Sequence, residues 1–273
     1  MPIESTSVLE RIAQSTRARV AATQKEIPLS ILQSQLFESA KDLHIPSDFK
    51  AAFKQDYSVI AEVKLASPSK GLIAPDLDPV NVAGQYLQNG AQALSVLTEP
   101  EYFKGDLAYL AAIRQAYPQA RLLMKDFILD PYQLYQGRLA GADACLLIVA
   151  MLSRADLQAL YQQARELSLT PLVEVHNAQE MQIALELGAD LIGVNNRNLK
   201  TLEIDLQTSR LLAQHLPAGI TLICESGLST GHDLNAAKSW GYHGFLIGSH
   251  LMASGQPGAA LAALLAEAEQ TRG

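Results

Sequence analysis

Eight short apolar runs recur along the chain from about Tyr57 onward. They cover residues 59–63, 94–97, 122–124, 144–150, 172–175, 191–194, 222–224 and 245–247. Successive runs are roughly 20–35 residues apart, which is the length of one strand-plus-helix unit. Because each run is almost continuously apolar rather than alternating, the pattern is typical of parallel strands that are covered on both faces.

Amphipathic stretches fill the intervals between these runs and predict helices. The clearest cover residues 79–88, 107–117, 132–140, 155–167 and 178–187. Glycine followed by alanine at Gly90, Gly141 and Gly188 indicates a helix stop before the next strand. This alternation favours an α/β protein of the (β/α)8 (TIM) barrel type. The alternative, a doubly wound open sheet, usually has a G-x-G-x-x-G loop after its first strand, and none follows Glu62-Val63-Lys64.

The first part of the chain has a helical pattern with no alternating strands. Leu9, Ile12 and Val20 recur at helical spacing, and Pro28 interrupts that pattern. A second short apolar pattern follows and ends before Pro46. We therefore expect an N-terminal helical extension over residues 1–46 and a catalytic barrel domain over residues 47–273.

Composition and charge narrow the class of protein. Hydrophobic residues make up 48% of the 273 residues, which is ample for a core, and a net charge of −7 argues against a nucleic-acid surface. No apolar run approaches the roughly 18–20 residues of a membrane span, and the first residues do not resemble a secretory signal. Cys145 and Cys224 lie in apolar runs and predict buried thiols in a reducing compartment. We expect a cytoplasmic protein that binds neither nucleic acid nor a membrane.

Charged side chains cluster where the predicted strands end. Residues two apart on a strand share a face, so Glu62 and Lys64 follow Ile60 along the inner wall if Ile60 packs inside the barrel. Polar groups also end the third, fifth, sixth and seventh strands, at Lys125, Glu174, Asn195, Arg197 and Glu225. Burying charge is costly unless the groups are paired or used, and the opposite strand ends are apolar or small. The asymmetry favours a catalytic mouth over a structural ion-pair network.

The loops after the seventh and eighth strands are small and rich in backbone donors. They read Ser226-Gly227-Leu228-Ser229 and Gly248-Ser249-His250, and the second runs into a predicted helix. Backbone N–H groups at a helix N-terminus bind anions, and these two loops hold phosphate in many barrels. We therefore expect Gly227, Gly248 and Ser249 to bind a phosphate group. The six histidines show no metal-ligand spacing, so no metal site is expected.

These motifs, taken in order, resemble those of the indole-3-glycerol-phosphate synthase family. The similar segments are Ile60-Ala61-Glu62-Val63-Lys64, Ala66-Ser67-Pro68-Ser69-Lys70-Gly71, Leu94-Ser95-Val96-Leu97-Thr98, Tyr102-Phe103, Lys125-Asp126-Phe127-Ile128, Glu174-Val175-His176, Gly193-Val194-Asn195-Asn196-Arg197-Asn198-Leu199, Glu225-Ser226-Gly227 and Leu246-Ile247-Gly248-Ser249. The resemblance runs from about Ile60 to Met252, and the helical extension of the family is also present. Each motif is modest alone, but the ordered set is specific.

The resemblance implies a carbon–carbon lyase of tryptophan biosynthesis. Members of the family close the indole ring of 1-(2-carboxyphenylamino)-1-deoxyribulose 5-phosphate, releasing carbon dioxide and water to give indole-3-glycerol phosphate. The catalytic residues that it implies are Glu62, Lys64, Lys125, Glu174, Asn195, Glu225 and Ser226. Lys125 would act as the general acid for closure and Glu174 as the base that removes the ring proton. Glu62 and Lys64 would assist loss of the hydroxyl, and the other three would orient intermediates. Which of Lys64, Lys125 and Glu62 donates each proton stays open.

The resemblance also implies how the substrate is held. The implied substrate-binding residues are Ser67, Phe103, Phe127, Leu146 and Arg197. Lys64 and Arg197 are the cations available for the benzoate carboxylate, and the two phenylalanines with Leu146 would form an apolar wall for the aryl ring. No cofactor is implied. The expected partner is a small phosphorylated molecule, the chain is expected to be a monomer, and other enzymes of the pathway are the protein partners that the resemblance allows.

Two positions depart from the family pattern, and other functions fit parts of the sequence. Leu65 stands where the family often has a basic residue, but its parity predicts that it faces away from the barrel interior. His250 follows the last strand where a smaller or acidic residue is common, and it could add positive charge beside the phosphate loop at low pH. A Schiff-base aldolase, a sugar-phosphate isomerase and a non-enzymatic binding barrel are the alternatives that share the phosphate loops.

Overall fold

Eight parallel strands close into a barrel in the computed structural model, which describes residues 8–38, 43–67, 71–73, 77–199, 201–214 and 216–272. In chain order they are β1 (Ser58–Val63), β2 (Ala93–Leu97), β3 (Leu122–Lys125), β4 (Ala144–Ile148), β5 (Thr170–Val175), β6 (Leu191–Asn195), β7 (Thr221–Glu225) and β8 (Gly244–Ile247). Each strand pairs with its neighbours in the chain, and β1 closes the ring against β8. The (β/α)8 barrel predicted from the sequence is confirmed.

Alternate residues of the strands pack into two separate apolar layers. Ile60, Leu123 and Leu172 belong to the cluster inside the barrel, whereas Val59 and Ala61 pack outward against the helices. A shift of one residue would exchange the two faces of a strand, so this burial on both sides holds the register. The inner face of β1 therefore passes from Ile60 to Glu62 at the carboxyl end.

Aromatic side chains fill the amino-terminal end of the barrel. The 3-10 helix Phe49–Ala52 places the rings of Phe49 and Phe53 edge to face, with centroids 5.8 Å apart, in the interior cluster. A Cβ atom on Gly244 would lie 2.6 Å from Cδ1 of Phe53, so β8 has to begin with a glycine. With this end filled, the interior opens toward the carboxyl ends of the strands.

Helices cover the outside of the barrel. They are α3 (Pro79–Gln88), α4 (Leu107–Ala116), α5 (Pro131–Leu139), α6 (Arg154–Glu166), α7 (Ala178–Glu186), α8 (Gln207–Leu212), α9 (Gly231–Ser239), α10 (Ser249–Met252) and α11 (Pro257–Gln270). Six of them begin at side-chain caps, namely Asp78, Asp106, Asp130, Ser153, Asn177 and Thr230. Each cap accepts a backbone N–H that the first helical turn leaves unpaired. The caps fix the far ends of six of the eight loops that leave the carboxyl ends of the strands, and the helices after β6 and β8 begin without a side-chain cap.

The N-terminal extension consists of α1 (Val8–Glu26) and α2 (Leu29–Glu38), which lie on either side of Pro28. Val20 and Leu32 pack against Tyr132 of α5, and the Tyr132 hydroxyl donates to the Ile27 carbonyl oxygen at 2.8 Å. The two helices are thus docked on one side of the barrel. The boundary between residues 46 and 47 stays a prediction.

The remaining differences from the sequence expectation are small. The run 144–150 splits, because β4 ends at Ile148 and residues Val149–Met151 form a 3-10 turn. Cys145 and Cys224 are buried free thiols, and burial raises their pKa values to about 12 and about 11. None of the helices in the described ranges is long and apolar enough to cross a membrane.

Candidate active site

A cavity of about 390 Å³ opens at the carboxyl ends of the strands. Its lining includes Glu62, Lys64, Lys125, Glu174, Asn195, Glu225, Ser226, Phe103, Phe127, Leu146, Arg197, Gly227, Gly248 and Ser249. These are the candidates named from the sequence apart from Ser67. The backbone of Ser67 belongs to the two-residue strand Ala66–Ser67, which pairs with Gly71–Leu72 after β1, and its contact with a substrate stays a prediction.

Lys125 lies between two glutamates at the centre of the cavity. Its Nζ atom is 2.7 Å from Oε2 of Glu225 and 3.3 Å from Oε2 of Glu174. Burial alone would lower the pKa of Lys125, but the carboxylates of Glu225, Glu174 and Glu62 outweigh it and raise the pKa far above its ordinary value. Lys125 is therefore an ammonium group at neutral pH, and its N–H donors point toward the cavity walls.

The two glutamates that share Lys125 have opposite protonation behaviour. Burial opposes ionisation of Glu174, but Lys125, His176 and Asn195 together hold its pKa well below the usual range. Burial raises the pKa of Glu225 to about 7, against the pull of Lys125 and with help from the Glu174 charge. Oε1 of Glu225 is buried without a hydrogen-bond partner, against the backbone of Gly193, whose missing side chain leaves room for it. A pair of acids held apart in this way can serve as a base and a proton reservoir.

A second ion pair stands on the inner face of β1. Nζ of Lys64 contacts Oε1 of Glu62, and the side chains are 14% and 4% exposed. Glu62 also lies against Gly248, where any Cβ atom would collide with its carboxylate. The glycine after β8 is therefore required to hold Glu62, a reason that the anion-loop argument from the sequence did not contain.

Two backbone loops close the other side of the cavity. Ser226 and Gly227 adopt φ values of 67° and 87°, so the chain turns sharply as it leaves β7. A Cβ atom on Gly227 would lie 2.7 Å from Cγ2 of Ile204, so a side chain is excluded on both grounds. Gly248 precedes α10, whose first N–H groups lack acceptors within the helix. Both loops border the cavity with small residues and main-chain donors, as an oxyanion or phosphate ligand requires.

The aromatic side of the cavity is held by a buried carboxylate. Phe103 and Phe127 have ring centroids 5.9 Å apart, and both line the cavity with Leu146. Glu99 accepts hydrogen bonds from the backbone N–H groups of Glu101, Tyr102 and Phe103 at 2.7–3.0 Å. Those three bonds fix the turn after β2 and therefore the approach of Phe103 to the cavity.

Side-chain hydrogen bonds within the segment after β6 hold that segment in place. Oδ1 of Asn195 accepts from the Arg197 backbone N–H at 3.0 Å, and Nη1 of Arg197 donates to the Leu202 carbonyl oxygen at 2.9 Å. Asn196 points the other way and donates to the Glu225 and Ser226 carbonyl oxygens. Asn195 and Arg197 therefore reach the cavity, while Asn196 ties the ends of β6 and β7 together.

Comparison with known proteins decides which barrel family this site resembles. The model of the family described as indole-3-glycerol phosphate synthase matches residues 9–264 of the 273. The chain belongs to the indole-3-glycerol phosphate synthase family. The match includes all of α1 except Val8, the barrel and the first part of α11, as far as residue 264.

Individual members of the indole-3-glycerol phosphate synthase family agree with this assignment. The enzyme of Albidiferax ferrireducens is 42% identical over 268 residues, which cover 96% of this chain and 100% of that relative. The enzyme of Dehalococcoides mccartyi is 44% identical over 250 residues, which cover 90% of this chain and 95% of that relative. The chain is therefore a homologue of indole-3-glycerol phosphate synthase, an enzyme of tryptophan biosynthesis, as the ordered motifs predict.

Solved structures outside the family share the barrel. The 3-hexulose-6-phosphate synthase of Salmonella typhimurium has a TM-score of 0.63 at 13% identity, covering 78% of this chain and 99% of that chain. A mandelate oxidase structure has a TM-score of 0.62 at 15% identity, covering 80% and 75%. At these identities the likeness concerns the fold alone.

The sequence missed much of the apolar lining. The further apolar residues at the cavity are Leu97, Ile148, Leu199, Ile204, Leu228, Leu246 and Ile247. Leu97 and Leu246 could have been found from the alternation of inward and outward residues along their strands. Ile204 lies in the long loop after β6, where no periodic pattern exists. Of the two departures from the family pattern, His250 is exposed at the cavity rim, and Leu65 is half-buried beside Lys64 and does not line this cavity.

Across the described part of the chain, no three His, Cys, Asp or Glu side chains group as metal ligands. The carboxylates at the mouth instead face cations of the protein itself, chiefly Lys64 and Lys125. The arrangement offers a charged acid, an ionised base and an apolar wall within one cavity.

Proposed function

We propose that this chain is a carbon–carbon lyase that converts 1-(2-carboxyphenylamino)-1-deoxyribulose 5-phosphate into indole-3-glycerol phosphate, carbon dioxide and water. Family membership supports this reaction. The observation that carries it is Lys125, held as an ammonium between Glu174 and Glu225 inside the cavity. An acid and a base placed a few ångströms apart suit a sequence of proton transfers at one substrate.

Ring closure would use Lys125. The aryl carbon that bears the carboxylate attacks the ketone carbon, and the ketone oxygen takes a proton from Nζ of Lys125 as it becomes a hydroxyl. Loss of carbon dioxide then returns the bonding electrons to the ring. Lys125 donates one N–H to Glu174 and one to Glu225. An ammonium group has three N–H donors, so the third proton would face the substrate.

Dehydration would use both ion pairs. Glu174 removes the proton from the ring, and the hydroxyl leaves as water with a proton supplied from the Glu62–Lys64 pair. Asn195, Glu225 and Ser226 would orient the intermediates from the neighbouring strand ends. Removal of one proton and addition of one at the leaving oxygen balance the loss of water.

The substrate would span the cavity from the anion loops to the aromatic side. Its phosphate would bind the main-chain N–H groups of Gly227, Gly248 and Ser249, and its benzoate carboxylate would face Lys64 or Arg197. Phe103, Phe127 and Leu146 would pack on the aryl ring. Stacking and burial of the ring would place the reacting carbon near Lys125.

Turnover of the purified chain with the carboxyphenylamino substrate tests the proposal. Indole fluorescence should appear, and an equal amount of carbon dioxide should be released. The same assay after dialysis against a chelator should give the same rate, since no cofactor is expected. Borohydride trapping of a substrate imine on Lys125 or Lys64, with no indole formed, would replace the proposal by the Schiff-base aldolase.

A monomeric state and a cytoplasmic location stay predictions. Sedimentation of the purified chain tests the first, and fractionation of cells that express it tests the second. Contacts with other enzymes of the pathway can be tested by sedimentation of mixtures.

A further inference from the structure

Two strands of the barrel end on a glutamate followed two residues later by a cation. On β1 these residues are Glu62 and Lys64, and at the end of β5 they are Glu174 and His176. Residues two apart lie on the same face of a strand, so each cation is delivered beside its own glutamate. The Glu225 at the end of β7 has no such companion, since Ser226 and Gly227 turn away from the strand.

Both ring nitrogens of His176 face carboxylate oxygens. Nδ1 is 3.0 Å from Oε2 of Glu180, and Nε2 is 3.2 Å from Oε1 of Glu174. The second contact is an ion pair without the alignment of a hydrogen bond, and Nε2 is buried. A neutral imidazole would turn a lone pair toward one of these anions, whereas an imidazolium presents a proton to both. Two carboxylates beside one buried ring therefore favour the charged form.

The first turn of α7 holds the ring in this position. Asn177 caps the helix by accepting from the Glu180 backbone N–H, and Glu180 accepts from the Asn177 side-chain amide at 2.6 Å. Oε2 of Glu180 also accepts from the His176 backbone N–H at 2.8 Å. The His176 side chain is only 11% exposed. Helix capping thus fixes the anion that orients the imidazolium.

We propose that His176 is a positioning residue for the two glutamates that contact Lys125. It keeps Glu174 negatively charged and leaves Glu225 as the glutamate that takes up a proton. Lys125 contacts both carboxylates, and its shorter contact is to Glu225, at 2.7 Å against 3.3 Å for Glu174, so Lys125 does not account for a charge held on Glu174. His176 contacts Glu174 alone of the two. The other charged or polar groups that face His176, Glu174 or Glu225 are Glu180 from α7, Lys125 from β3, Asn195 from β6 and Glu62 from β1.

The titration behaviour of the groups agrees with this assignment. Burial lowers the pKa of His176, but Glu174 and Glu180 outweigh burial and raise it to about 10. His176 therefore stays charged through the neutral range. Its role in turnover rests on the proposed function, in which Glu174 is the base, but the distribution of charge between the two glutamates does not.

Carboxyl NMR titration of glutamate-labelled protein tests the distribution without turnover. Signals of Glu174 and Glu225 are assigned by their loss in Glu174→Gln and Glu225→Gln. In the parent, Glu225 should titrate near neutral pH while Glu174 stays ionised on acidification. In His176→Gln, which has the size but not the charge, the Glu174 midpoint should rise by at least about 1 pH unit, since a cation within 4–6 Å lowers a carboxyl pKa by about 1–3 units.

Matched variants separate charge from structure. His176→Lys restores a cation and should return the Glu174 midpoint toward that of the parent. His243→Gln, at the amino-terminal end of β8 where the ring accepts from the Leu222 backbone N–H, should leave both midpoints in place. If His176→Gln does not fold, His176→Asn provides the test, because it also removes the cation beside Glu174, and it should likewise raise the Glu174 midpoint.

A rise of less than 1 unit in His176→Gln would overturn the proposal, as would an equal rise in His243→Gln. For His176→Asn alone, an unchanged Glu174 midpoint would overturn it. If the titrations behave as expected and the parent forms no indole product, the proposed function fails while the charge assignment stands. If indole forms, the acid side of the kcat/KM profile should move to higher pH in His176→Gln.

Discussion

Asp143 and Glu225 are buried carboxylates at opposite ends of the same barrel, and their surroundings differ completely. Asp143 precedes β4 at the amino-terminal end and accepts five hydrogen bonds, from His44, Ser47 (two), Arg114 and the Leu122 backbone N–H. Glu225 ends β7 at the mouth and has one cationic partner, while its Oε1 has no hydrogen-bond partner. The first carboxylate is saturated with donors, and the second is short of them.

The difference shows how one fold separates stability from chemistry. A carboxylate that accepts several fixed donors joins the elements that supply those donors. A carboxylate with too few donors changes its protonation state easily, which is useful only where a reaction needs protons. In barrels the amino-terminal end carries stability and the carboxyl end carries the site, and these two residues follow that division.

Loss of Lys125 should produce the largest fall in the catalytic rate and should leave the fold intact. Lys125→Met removes the proposed general acid, and loss of a positioned acid lowers a rate by about 10²–10⁴-fold. The chain should remain folded, because Glu174 keeps its contact with His176 and Glu225 can protonate. Steady-state kinetics with circular dichroism checks both statements.

Lys50→Met is the matched control for this variant. Nζ of Lys50 is 2.8 Å from Asp190 in a half-exposed pair outside the mouth, so kcat should stay within about twofold of the parent. A kcat within about threefold of the parent for Lys125→Met would remove Lys125 from the mechanism.

Loss of the Asp143 charge should have the opposite effect, lowering the stability of the fold and leaving kcat nearly unchanged. Asp143→Asn leaves the buried Arg114 guanidinium without its carboxylate and places amide hydrogens against existing donors. Removing one partner of a buried ion pair costs about 3–5 kcal/mol of the free energy of unfolding. Urea denaturation should show this loss, while kcat of the folded variant should stay near that of the parent. A large fall in kcat without a fall in stability would contradict the division between the two ends.

Neutralising Glu225 should change the pH dependence of stability rather than lower stability. Its folded pKa is raised from 4.5 to about 7, so the folded chain retains a proton that the unfolded chain releases. The stabilisation from this proton is complete below pH 4.5 and is lost as the pH rises to about 7, by roughly 3 kcal/mol. Glu225→Gln should therefore gain stability relative to the parent over that window.

Urea denaturation at several pH values measures the difference between Glu225→Gln and the parent. The exposed Glu269 on α11 supplies the control, because Glu269→Gln should show a difference that does not vary over the window. A Glu225→Gln difference as flat as that of the control would mean that Glu225 is as well solvated or paired as an ordinary carboxylate.

The inner wall of the site was predictable because strand geometry is local. Burial of Ile60 inside the barrel forces Glu62 and Lys64 to follow it along the same face, and the same reasoning applies to Glu174 and His176. Closure of eight strands then brings every strand end to one mouth, so charges far apart in sequence meet without a pairwise signal.

The parts that sequence reasoning missed depend on contacts between distant segments. Gly248 is a glycine because Glu62 occupies the space of its side chain, and Gly193 leaves room for Glu225 in the same way. His44 and Ser47 reach Asp143 across 99 and 96 positions of the chain. Hydrophobic periodicity carries no information about such contacts, since it describes one element at a time.

The smallest expected effect concerns a contact that joins the N-terminal extension to the mouth. Nη2 of Arg19 on α1 is 2.8 Å from Oδ1 of Asp126. The same oxygen accepts from the Phe127 backbone N–H, and Oδ2 accepts from Thr98 Oγ1. Burial raises the pKa of Asp126, and Arg19 opposes that rise, so the contact favours the ionised form of the residue after Lys125. The extension therefore has contacts at both ends of the barrel, a structural one at Asp143 and one beside the reacting groups.

Arg19→Met should lower kcat/KM by less than tenfold and the free energy of unfolding by about 1 kcal/mol, because Asp126 keeps two of its three donors and the Arg19 side chain is 29% exposed. Gln24→Met on the same helix removes a 3.2 Å hydrogen bond to Asp130 and serves as the control, with a similar loss of stability and no change in kcat/KM. Kinetics and urea denaturation on both variants measure the contrast. Equal kinetics for the two would show that α1 stabilises the barrel without supporting the mouth. A loss in Arg19→Met as large as that in Lys125→Met would instead place Arg19 among the groups on which catalysis depends.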